Sequence, residues 1–101
     1  MDSAVRSAAR VERELPLVAV ESDRIMEGYV DLAYLPEGAE ADGGWVLVDY
    51  KTDRDASVET RAAYEEQVRA YARMFASTGV GVGAAYLLFT TSGDAWPVEL
   101  G

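Results

Sequence analysis

The 101-residue chain has no cysteine and no histidine. Without thiols there is no disulfide, no thiolate-bound zinc and no cysteine-held iron–sulfur cluster. Without imidazole, serine–histidine and cysteine–histidine catalysis are excluded. Any metal site has to be built from carboxylates and carbonyls, the hard oxygen ligands that suit Mg²⁺, Mn²⁺ or Ca²⁺. Positive charge is scarce as well, 9 Lys+Arg against 18 Asp+Glu for a net charge of −9, so the long-range field repels nucleic acid. That weighs against a free-standing DNA-binding domain but not against phosphodiester chemistry, because a bound cation inverts the local charge. No apolar run approaches a membrane span, and the first residues lack the apolar stretch of a signal peptide. The expected location is the cytoplasm, with no membrane partner.

Half of the residues are hydrophobic and 27% are charged, the balance of a globular chain rather than a disordered one. At this length residues 1–101 form one domain, burying on the order of 65% of the surface that the extended chain exposes. Residues 1–11 read as a helix remnant or a loose arm. Glu12 to Ser22 alternates around Leu15, Leu17 and Ala19 as a strand, with Pro16 marking an edge or a strand beginning. Glu21-Ser22-Asp23 is a tight connection to a second strand, Arg24 to Leu35. The Gly- and acid-rich segment Pro36 to Gly44 is a solvated turn, and Trp45 to Lys51 is a third strand.

From Ser57 to Thr78 the period becomes helical: Tyr64, Val68, Tyr71, Met74 and Phe75 make an apolar stripe. Asp55 or Ser57 supplies an N-cap and Gly79 a stop. Val82 to Thr90 is nearly all apolar and reads as a strand buried on both faces, followed by a turn at Ser92-Gly93-Asp94 and a short strand from Trp96 to Leu100. Three meandering strands, a crossover helix and a returning strand imply an α/β fold with a mixed sheet and the helix on one face.

The chemistry concentrates in Gly28-Tyr29-Val30-Asp31 and Asp49-Tyr50-Lys51-Thr52. Residues two apart on a strand share a face, so Asp49 and Lys51 point together while Val46, Val48 and Tyr50 point the other way. An Asp-x-Lys pair alone is most often a solvated strand position. Here it closes a hydrophobic strand, and an antiparallel connection from Leu35 to Trp45 can bring Asp31 beside Asp49 at the strand ends. Two facing carboxylates repel, and a cation relieves that. Mg²⁺ held by Asp31, Asp49 and the backbone carbonyl of Tyr50 would polarise a phosphate and activate water, with Lys51 orienting the water or stabilising phosphoryl charge. Gln67 and Tyr71 lie four apart on the helix. A buried glutamine there implies a polar site at the sheet–helix junction, whereas one that merely flanks the stripe implies nothing.

In order and in placement on strand, strand and helix, Gly28-x-x-Asp31, Asp49-Tyr50-Lys51 and Gln67-x-x-x-Tyr71 resemble the PD-(D/E)xK nucleases of the RecB type. The chain looks most like the C-terminal nuclease domain of UvrD-like, AddA-type helicase–nucleases, over about Glu12 to Leu100. The resemblance implies a restriction-endonuclease-like core with its upstream helix truncated, and Mg²⁺-dependent DNA exonuclease activity, with Mn²⁺ as a substitute, in recombinational repair. It implies a fused or associated superfamily 1 helicase motor as partner. Asp31 and Asp49 match the metal ligands, Lys51 the catalytic lysine, and Gln67 and Tyr71 the helical motif that supports the lysine. Glu14 matches an acid ahead of a strand proline and is a candidate accessory residue, or else an exposed strand charge. Gly28 reads as a site of close backbone approach, and Trp45 and Trp96 as core or edge aromatics. The absent histidine and cysteines separate the chain from relatives that carry an additional metal ligand or an iron–sulfur cluster. The alternatives are a non-catalytic docking or regulatory module on the same fold and a small acidic metal-binding protein.

Overall fold

Apolar alternation in the first half of the chain and a 3.6-residue period after it build a sheet and one long helix. A computed structural model describes residues 2–40, 42–54 and 56–100. The order is α1 (Asp2–Arg6), β1 (Arg10–Glu21), β2 (Arg24–Leu35), β3 (Trp45–Lys51), α2 (Val58–Ala76), β4 (Val82–Phe89) and β5 (Asp94–Pro97). The strands form one five-stranded sheet in the order β1-β2-β3-β4-β5. Neighbours are antiparallel except β3 and β4, which run parallel and are joined by α2 as the crossover. No helix among the described residues is long and apolar enough to cross a membrane.

β2 and β3 begin and end where the alternation does. The arm expected over residues 1–11 is shorter, because Arg10 and Val11 already pair with Leu35 and Tyr34 and satisfy the backbone of two buried residues. Pro16 sits inside β1, which has β2 as its one partner in the sheet and is therefore an edge where a missing N–H is tolerated. β5 starts at Asp94 rather than Trp96, since Phe89 pairs with Asp94 across a tight turn, and it ends at Pro97. Ser57 caps α2 by accepting a hydrogen bond from Thr60 N–H at 3.1 Å, an interaction worth about 1 kcal/mol. Asp55, the other candidate cap, lies outside the described residues. Gly79, at φ +96°, follows the C-cap Ser77 in a conformation that favours glycine.

The sheet has two unequal faces. On one, Leu17, Val30, Ala33, Leu35, Leu47, Ala85, Leu87 and Phe89 pack under Val68, Met74 and Phe75 of α2. Each fully buried Leu or Val there contributes roughly 1.5–3 kcal/mol. On the other, Leu32, Tyr34, Val46 and Val48 are covered by Val5 and Ala8 and flanked by Ala84, Tyr86 and Leu88. From Ala84 to Phe89, β4 therefore alternates between half-buried and buried positions instead of being buried on both faces. A five-residue helix cannot cover what the nineteen residues of α2 cover opposite.

The ladder between β2 and β3 spans only Leu32↔Val48 to Tyr34↔Val46, so β2 runs on past the end of β3 and continues as an arm paired with β1. α2 crosses this arm. A Cβ on Gly28 would come within 2.5 Å of Tyr71 Cε1, which makes a side chain at position 28 incompatible with the seat of that ring.

Candidate active site

The geometry of the strand ends assembles the site. Leu32↔Val48 is the last rung of the β2–β3 ladder, which makes Asp31 and Asp49 the next residues outward on adjacent strands. Asp31 is thus in the interior of β2 rather than at its end; what ends there is the β2–β3 ladder, while β2 continues to pair with β1 and β3 with β4. Asp31 Oδ2 accepts a hydrogen bond from the Tyr50 N–H at 2.8 Å, occupying the donor that the ladder would otherwise use. Lys51 O accepts from Thr90 N–H at 2.8 Å on the β4 side. By strand alternation the Tyr50 carbonyl faces the same side as its N–H, toward Asp31.

Asp49 is 7% exposed, the one buried charged residue of the described chain. Its Oδ2 lies 3.1 Å from Lys51 Nζ as an ion pair, yet it accepts no hydrogen bond of good geometry. Burial first, and then the neighbouring Asp31 carboxyl, push the Asp49 carboxyl up from its ordinary 3.8 to about 6, against the opposing pull of Lys51. A buried acid held unwillingly as an anion is the state that a bound cation would stabilise.

Lys51 is fixed from three directions. Its Nζ donates to Gln67 Oε1 at 3.0 Å, pairs with Asp49, and sits 4.2 Å from the centre of the Tyr64 ring. The Tyr64 hydroxyl in turn donates to Asp53, 2.9 Å from Oδ1. This hydrogen bond first, and burial second, raise the Tyr64 pKa above the ordinary phenol value. Tyr71 is raised chiefly by burial and then by the charges of Asp49 and Asp31, with hydrogen bonds to Gln67 and the Tyr29 backbone opposing.

Five sequence candidates, Asp31, Asp49, Lys51, Gln67 and Tyr71, are therefore brought together. Gln67 is not the buried glutamine of the stripe: it is exposed and flanks it, and its amide reaches Lys51 from the border. Glu14 stands across the hairpin from Asp31 in a left-handed conformation, φ +50°, and lines a pocket of about 340 Å³ with Tyr29 and Asp31. Such a conformation costs a non-glycine residue about 1–2 kcal/mol. The sequence pattern alone does not mark Tyr64 or Asp53 as part of the site. Tyr64 reads as one more member of the apolar stripe, and the signal was its spacing of three from Gln67 and seven from Tyr71 on the same face. Trp45 is core and Trp96 lies on the outermost strand, as their types suggest.

A comparison with protein-family models matches residues 2–98 to the PD-(D/E)XK nuclease superfamily. The chain belongs to that superfamily. A search of curated proteins gives no match. The mixed sheet with one long helix accords with a PD-(D/E)XK-like fold, and superfamily membership points to nuclease chemistry.

PD-(D/E)XK nucleases generally use divalent metals, and the donor set of this chain suits a hard cation. Two carboxylates converge, one oxygen of Asp49 is buried without a hydrogen bond, and no nitrogen or sulfur ligand competes. Among the described residues no group of three or more His, Cys, Asp or Glu is gathered closely enough to hold a metal.

Proposed function

We propose that this chain is a metal-dependent DNA exonuclease domain that works with a superfamily 1 helicase motor in recombinational repair. The observation that carries the nuclease reading is the clamp on Lys51, between a buried carboxylate, Gln67 Oε1 and an aromatic ring, beside a second carboxylate on the adjacent strand. The order of these residues on strand, strand and helix, similar to RecB-type nucleases of the AddA branch, supports the finer reading.

Asp31, Asp49 and the Tyr50 carbonyl would hold Mg²⁺ or Mn²⁺, which when bound polarises the scissile phosphate and activates water. The Tyr50 N–H holds the Asp31 carboxylate in place. Lys51 has three donors, of which one is engaged by Gln67 and one directed at Asp49. The remaining donor is available to orient the attacking water or to stabilise charge on the phosphoryl oxygens. Tyr71, seated on Gly28, and Gln67 hold the helix at the height where the lysine is met.

A docking or regulatory role for the same fold is favoured by the net charge of −9, which opposes approach to nucleic acid. Cleavage of a labelled linear DNA in Mg²⁺ or Mn²⁺ separates the two. The catalytic reading requires cutting by the wild type, none in chelator, and none by Asp31→Ala, Asp49→Ala or Lys51→Ala. Cutting by purified Asp49→Ala at the wild-type rate would falsify it.

A further inference from the structure

A second pocket lies at the same end of the sheet, outside the carboxylate–lysine cluster. It has a volume of about 290 Å³ and is lined by Arg54, Arg61, Phe89, Ser92, Asp94 and Trp96 among others. Arg54 is three residues beyond Lys51, and Arg61 is in the first turns of α2. The turn between β4 and β5 is tied to the strand that carries the lysine: Thr90 N–H donates to Lys51 O, and Thr91 Oγ1 lies 3.1 Å from the carbonyls of Thr52 and Asp53. Arg61 precedes Gln67 by six residues, about 9 Å along the helix. The pocket and the lysine clamp are therefore rigidly related.

The chemistry of the lining is unusual for this chain. Acids outnumber bases two to one in the whole sequence, 18 to 9, whereas the described lining of the pocket sets two arginines against one carboxylate, Asp94. The Arg61 guanidinium lies 4.5 Å from the centre of the Trp96 ring and 5.7 Å from that of Phe89. Its Nε is buried and has no hydrogen-bond partner. Neither arginine is in an ion pair with a described carboxylate. Trp96 is 41% exposed and is steadied by its Nε1–H, which donates to Glu65 Oε2 at 3.3 Å. A guanidinium carries a planar fork of N–H donors that suits a phosphate, and here its buried Nε–H has no acceptor among the described residues. An exposed indole beside it offers a stacking surface for a base.

We propose that the Arg54–Arg61–Trp96 pocket is a strand-docking subsite that takes a phosphate of the DNA flanking the scissile one, with the adjoining base against Trp96. The proposal rests on the nuclease reading and gives it a local source of attraction that the acidic chain otherwise lacks. Lys51 reads the reacting phosphate; the two arginines hold its neighbour and set the direction in which the strand enters.

The test is a titration of the chain with a dye-labelled single-stranded oligonucleotide at low salt in Ca²⁺, following dye anisotropy and tryptophan emission. Binding quenches Trp96 emission, and Trp96→Phe abolishes the change because the remaining tryptophan, Trp45, is 5% exposed in the core. Arg54→Gln and Arg61→Gln each weaken binding about tenfold and lower the slope of log affinity against log salt by about 0.7, the loss of one phosphate contact. Arg73→Gln, the same change of charge on an exposed site elsewhere in α2, weakens binding less than about twofold. Arg54 is exposed, so its variant tests the pocket even where Arg61→Gln loosens the ring stack. Arginine variants that bind no more weakly than Arg73→Gln overturn the proposal. In parallel cleavage assays in Mn²⁺, the arginine variants should raise KM far more than they lower kcat. Failure of the wild type to cut overturns the nuclease reading and this assignment with it. Cutting with KM unchanged in both arginine variants overturns the pocket alone.

Discussion

Asp49→Asn should make the metal-free protein more stable at neutral pH while removing its response to metal. A carboxyl that titrates at about 6 instead of 3.8 in the folded state is an anion held against its preference, and at pH 7.5 that is about 3 kcal/mol of lost stability. Asparagine keeps the shape and discards the charge. Its amide can donate toward Asp31 and accept from Lys51, the two groups that flank it now. Relaxation of the wild-type site trims the gain to about 2 kcal/mol, a rise in Tm of roughly 10 °C for a domain of this size. The folded state holds the Asp49 proton more tightly than the unfolded chain does, so the wild type loses this stability as pH rises from about 3.8 through about 6 and loses no more above that. The advantage of Asp49→Asn is therefore near zero at pH 4, grows to pH 6–7 and then levels. Thermal melts of both proteins in chelator across this range measure it. A variant no more stable than the wild type at pH 7.5, or an advantage that persists undiminished at pH 4, refutes the assignment of strain to the buried carboxylate.

Millimolar Mg²⁺ or Mn²⁺ should raise the melting temperature of the wild type, because binding to the native state alone adds RT ln(1 + [L]/Kd); an equal rise in the Asp31→Ala/Asp49→Ala double variant would remove these acids from the site. Gln67→Ala and Tyr71→Phe should slow cleavage about ten- to a hundredfold, less than loss of Asp31 or Asp49, since they position the lysine and helix rather than bind the cation; single-turnover rates compare them. Gly28→Ala forces Tyr71 out of its seat and should cost about 1–3 kcal/mol in denaturant melts. Gly43→Ala, where a Cβ meets open space, should stay within about 0.5 kcal/mol.

Much of the architecture is written locally. β2 and β3 are bounded by the Glu21–Asp23 turn and the Gly-rich segment before Trp45, and the change of period at Ser57 announces α2. The half-open outer face of β4 is not local, because an apolar run does not say what covers it; only the shortness of α1 does. The Asp31–Asp49 approach follows from the meander, since one antiparallel connection sets both positions. The lysine clamp follows from nothing local. Whether Gln67 meets Lys51 depends on the height at which α2 lies across the sheet, and that height is set by a missing side chain at Gly28 and the ring of Tyr71. Tyr64 was hidden for a related reason: an aromatic on an apolar stripe looks the same whether it caps a core or a cation.

The parallel pairing of β3 with β4 also sets the order in which the site can come into being. β2 and β3 need only a nine-residue connection to meet, residues 36–44, so the two aspartates can be brought together early at little loop-closure cost. Lys51 has to wait. Its backbone partner is Thr90, 39 residues later, and two of its three side-chain partners, Gln67 and Tyr64, lie on the crossover helix between them. A nascent chain, or one that has lost β4 by local unfolding, can possess both acids in place and still have its lysine loose. Substitutions in the β2–β3 meander should accordingly slow folding, and those in β4 should chiefly speed unfolding. If truncations of β4 were found to slow refolding more than they hasten unfolding, this order would be reversed. Under the order that the sheet imposes, the lysine clamp is the last feature the chain acquires and the first it gives up.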